Sequence, residues 1–64
     1  MTALESNIRK TLKFYGETDP RFLKIMTERV VKAIDKNLEA GIIDSVNDKV
    51  IDYLCYHVID SYCM

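Results

Sequence analysis

Apolar side chains recur along this chain at helical spacing, in three segments separated by two clear interruptions. In the first, Leu4, Ile8, Leu12 and Tyr15 follow one another at intervals of four, four and three. They form a narrow stripe of roughly 80° on a helical wheel. The second carries Phe22, Leu23, Ile25, Met26, Val30, Val31, Ala33, Ile34, Leu38 and Ala40. Most of these span about 180°, with Thr27 and Asn37 interrupting the arc and Ile25 outside it. In the third, Val46, Val50, Ile51, Leu54, Cys55, Val58, Ile59 and Tyr62 spread over roughly 220°. No alternating run bounded by turn pairs suggests a strand.

Start and stop signals fall where the periodicity changes. Gly16 ends the first helix, expected over Ala3–Tyr15. Asp19-Pro20 opens the second, because Asp accepts from orphan N–H groups and Pro at the first position loses nothing by lacking one. That helix is expected over Pro20–Ala40, with Gly41 as its terminator. The third is expected over Val46–Ser61, with Ser45 as cap and Asp48 three residues on approximating a capping box.

The widths of the apolar arcs shape the architectural expectation. Helices two and three form a hairpin, the thin-striped first helix docks on it, and the three make a single small all-α domain over residues 1–64. Apolar surface is then left over, and a short chain gains much from oligomerisation. The sequence therefore predicts a dimeric helical bundle. The core and dimer interface are assigned to Phe22, Leu23, Met26, Val30, Ile34 and Leu38 from the second helix, and to Val50, Leu54 and Val58 from the third.

Composition narrows the function. The chain has 64 residues, a formal net charge of −1, two Cys and one His. One domain of this size has no room for separate cofactor and substrate domains, and two cysteines are too few for a disulfide scaffold. No apolar signal core follows the N-terminus, and no apolar run approaches the roughly 20 residues of a spanning helix. A cytoplasmic protein with reduced thiols and no membrane association is expected.

Candidate chemistry is sparse. On one helix Cys55 and His57 point about 200° apart, and Cys55 and Cys63 lie two turns apart, so neither pair can share a metal or act as nucleophile and base. Both glycines are isolated terminators, so there is no phosphate cradle. Neither a catalytic site, a metal nor a cofactor is expected. Charge is asymmetric, with six basic and four acidic residues before Lys32, and three basic against six acidic from there on. Arg9, Lys10 and Lys13 form a candidate phosphate-contacting patch, but Asp48, Asp52 and Asp60 work against inserting the third helix into a DNA groove. Tyr53, Tyr56 and Tyr62 crowd the third helix and supply a candidate protein-binding surface, since tyrosines give broad amphipathic contact. The expected function is that of a non-enzymatic adaptor, inhibitor or regulator that binds another protein as a homodimer. The rival expectation is a nucleic-acid-binding regulator using the basic first helix of each protomer.

Overall fold

In a computed structural model that describes residues 2–63, with only the backbone at positions 62 and 63, the chain folds into three α-helices. They are α1 (Ala3–Phe14), α2 (Pro20–Glu39) and α3 (Asp48–Cys63), and no strand occurs among the described residues. Each helix packs against both of the others. All three feed one buried cluster: Ile8 and Leu12 from α1, Leu23, Met26, Val30 and Ile34 from α2, and Ile51, Leu54 and Cys55 from α3. The thin stripe of α1 thus supplies two of the nine core residues, Ile8 and Leu12, both wholly buried.

The ends of α1 and α2 follow from local chemistry. Thr2 and Glu5 close a cap at the start of α1: the Glu5 N–H donates to Thr2 Oγ1 at 3.1 Å, and the Thr2 hydroxyl donates to Glu5 Oε1 at 3.1 Å. This Thr-x-x-Glu spacing is a helix-start signature carried by the chain itself. Asp19 caps α2 as expected, its Oδ1 accepting from the Arg21 N–H at 2.9 Å. Both helices then end in a glycine turn of the same design. Gly16 and Gly41 take φ of 98° and 73°, a region L side chains avoid. Their N–H groups donate to Lys13 and Leu38, while those of Glu17 and Ile42 donate to Leu12 and Asn37, which satisfies the last carbonyls.

The start of α3 corrects the sequence reading. The cap is Asn47, not Ser45: Asn47 Oδ1 accepts from the Val50 N–H at 3.0 Å, and its carbonyl from the Ile51 N–H at 3.0 Å. The helix therefore begins at Asp48 and leaves Val46 outside. Asn and Ser rank alike as caps, and under either start Ile51, Leu54 and Cys55 lie within the helix, where all three are buried. The starts of α1 and α2 fall where expected, and the three C-terminal limits differ by one or two residues, which is the usual fraying of helix ends.

The chain covers much of the arc that had argued for a partner. Leu23, Met26, Val30, Ile34 and Leu54 are buried by intrachain packing, and Val50 and Val58 rest against them half-buried. Phe22 and Leu38, also assigned to the interface, each remain 39% exposed. The two polar interruptions of α2 are neutralised within the helix itself. Thr27 Oγ1 and Asn37 Nδ2 donate to the carbonyls of Leu23 and Ala33, four residues back, at 2.6 Å each.

Candidate functional site

Two surface features stand out, and both are built on α3. The first is a strip of rings. Phe14 lies edge-on to Tyr15 at 5.7 Å between centroids, and Tyr15 to Tyr56 at 6.1 Å. Tyr56 meets His57 at 6.2 Å, and His57 meets Tyr53 at 4.3 Å. The five rings run without a break from the end of α1 onto the outer face of α3. Phe14 is 85% exposed, Tyr53 63% and Tyr56 56%. Tyr15 is tied down by its hydroxyl, which donates to Asp52 Oδ1 at 2.7 Å. That bond and the nearby carboxylate charge raise the Tyr15 pKa above its usual value of 10.0.

Tyr53 and Tyr56 are therefore surface residues, as the sequence suggested, and the fold adds Phe14, Tyr15 and His57 to them. The Tyr62 side chain lies outside the described residues. Only α1 docking on α3 brings Phe14 and Tyr15 into line, so periodicity within one helix cannot disclose the strip.

The second feature is a groove along the α2–α3 seam, an open hollow of ≈ 350 Å³. Ala33, Leu54 and Val58 line it with apolar surface, while Arg29, Lys32 and Lys36 from α2 and His57 and Ser61 from α3 complete its walls. The small side chain of Ala33 leaves the space, and long basic stems frame it. Spacings of three and four put the three basic residues along one edge of α2. The sequence contained that signal, but only the approach of α3 turns the edge into the wall of a groove.

Residues singled out for other chemistry are kept apart. The Cys55 thiol is fully buried and faces the Ile8 carbonyl, with Sγ at 3.9 Å from the oxygen. Burial, helped by the charge of Asp52, pushes its pKa up to about 11, the opposite of what a nucleophilic thiol requires. His57 stands outside among the tyrosine rings. The basic residues of α1 differ in their surroundings. Arg9 is half-buried, with Nε shielded and unpaired among the described residues. Lys10 shares a shallow hollow with Asn7, Thr11, Phe14 and the Asp52 carboxylate, and Lys13 is exposed. Among the described residues no three His, Cys, Asp or Glu side chains converge as metal ligands, and no helix is long and apolar enough to cross a membrane.

The fold and its surfaces thus define a three-helix all-α chain with an aromatic strip and a cationic groove. No family model matches it, and no curated protein or solved structure matches it significantly.

Proposed function

We propose that this protein is a non-enzymatic regulator or adaptor that acts by binding another protein, and that the ring strip is its contact surface. The observation that carries this reading is the unbroken contact of Phe14, Tyr15, Tyr56, His57 and Tyr53 at the surface. Rings held by one another lose little rotamer freedom on binding, and Tyr is among the residues that dominate interface energetics. The hydroxyls and the imidazole give such a surface polar groups with which to select its partner. Self-association belongs to the same proposal. The apolar residues left at the surface, Phe14, Ile25, Leu38 and Ile42, give a second copy something to cover.

A photoreactive phenylalanine analogue at position 53 or 56 tests the strip. One protein species is expected to crosslink there in lysate from the producing cells, and not from position 24. The purified pair should then lose about tenfold or more in affinity with Tyr56→Ala. Equal labelling from all three positions, or an unchanged affinity, would remove the reading. Sedimentation at tens of micromolar separates the oligomeric part. A species of twice 7.4 kDa is expected, and one of 7.4 kDa shows the monomer to be the working form.

A further inference from the structure

Beyond the ring strip, we infer that the α2–α3 groove is a second binding site, and that its occupant is a short acidic amphipathic helix of a partner protein. Charge is the first support. Arg29, Lys32 and Lys36 stand along the groove, and no carboxylate lines it, although the whole chain carries a net charge of −1. The acidic residues of α2, Glu28, Asp35 and Glu39, lie about 70° further round the helix. From Glu28 to Glu39 the charges of α2 are therefore sorted by sign, with the basic edge toward α3, while Arg21 and Lys24 nearer its start lie on the acidic side. Lys32 and Lys36 form no ion pair among the described residues, so their charge is available to an anionic partner.

Shape and polarity are the second support. The groove follows residues 29–36 of α2 and 54–61 of α3. Seven steps of 1.5 Å make it ~10 Å long, the length of about two helical turns. Its floor of Ala33, Leu54 and Val58 matches apolar residues spaced one turn apart on a partner helix, the way helices are read in grooves. A nucleic-acid backbone would satisfy the lysines but has nothing apolar to set on that floor. The occupant that uses both walls and floor is a helix with Leu-like residues on one face and Glu or Asp beside them.

The probe is a fluorescein-labelled, end-capped 14-residue peptide of Leu and Glu, with Leu at helical i, i+3, i+4 and i+7 positions. The full-length protein should bind it saturably, more weakly as salt rises, with amide shifts in NMR centred on Ala33, Leu54, His57 and Val58. Lys32→Glu together with Lys36→Glu should weaken binding about tenfold. Both residues are exposed, so the circular-dichroism spectrum should stay unchanged. Lys24→Glu, an equal charge reversal away from the groove, should leave the affinity within about twofold. The inference is overturned if a Ser-for-Leu version of the peptide binds equally well, because the floor then contributes nothing. It is also overturned if a DNA oligonucleotide displaces the peptide with higher affinity. A dimer that dissociates on Lys36→Glu would overturn it too, by giving the groove to a second copy of the chain.

Discussion

Helix α3 meets its two neighbours through seams of opposite character. Toward α1 the seam is bridged by polar side chains at its rim: Asn7 Nδ2 donates to Asp48 Oδ1 at 3.3 Å, and the Tyr15 hydroxyl to Asp52. Cys55 seals the interior of that seam against the Ile8 carbonyl. Toward α2 the inner half is as well packed, through Val30, Ile34, Ile51 and Leu54, but the outer half stands open above Ala33 and Val58. One helix thus spends its polar groups on internal contacts along one side and leaves apolar floor uncovered along the other. Side chains that bond across a seam fix its register. A small residue flanked by long basic ones leaves room for something else.

The largest perturbation should erase the difference altogether. Val30→Asp places a charge at a fully buried position and should cost about 3–5 kcal/mol or more, abolishing the helical circular-dichroism signal at 25 °C. A helical spectrum with an unchanged melting point would contradict the shared core. Truncation distinguishes the seams more finely. Leu12→Ala, in the closed region, should cost ~2–5 kcal/mol in a urea titration. Val58→Ala, at the half-buried floor of the groove, should cost ~1 kcal/mol or less, because solvent already reaches the vacated space. Equal losses would mean that the groove is filled in solution.

Alkaline pH should strain the α1 seam selectively. The Cys55 thiol is raised from 9.0 to about 11 in the fold, so the folded protein holds this proton more tightly than the unfolded chain. That contribution is complete below pH 9 and is lost as pH climbs toward about 11, amounting to at most ~3 kcal/mol. Tyr15, raised by its bond to Asp52, adds to the loss in the same direction. Cys55→Ala should flatten the alkaline limb of the stability curve relative to the parent chain. The smallest effect is expected from Asp52→Asn. The ionisation midpoint of Tyr15, followed by NMR of labelled tyrosine, should fall toward 10, with only a slight drop in melting temperature. An unmoved midpoint would show that the hydrogen bond at the rim is not formed in solution.

Much of the fold was readable because its punctuation is unambiguous. Asp19-Pro20 has no rival as a helix start in its region, and Gly16 and Gly41 sit where each apolar stripe ends. Around the start of α3 there are three competent caps, Asp44, Ser45 and Asn47. Local preference cannot rank them, and only the hydrogen bonds in the fold show that Asn47 is the one used. The surfaces were legible in pieces. Tyr53 and Tyr56 could be placed on a polar face, and Arg29, Lys32 and Lys36 share an edge by simple counting. Joining Phe14 to Tyr56, or turning that edge into one wall of a groove, depends on how helices remote in sequence approach each other. The basic residues of α1 show what sequence proximity leaves out. Arg9, Lys10 and Lys13 are close in sequence, yet their surroundings differ once Arg9 is tucked in and Lys10 lies beside Asp52.

The covered thiol at the α1–α3 contact also serves as a clock. A maleimide or disulfide reagent can reach Cys55 only while α1 is lifted away. In a Cys63→Ser background the labelling rate therefore counts how often that helix departs. When reclosure outpaces the reagent, the rate scales with reagent concentration and gives the population of the open form. When the reagent is in large excess, the rate levels off at the opening frequency itself. The residue least suited to chemistry in this protein thus reports the lifetime of its closed state.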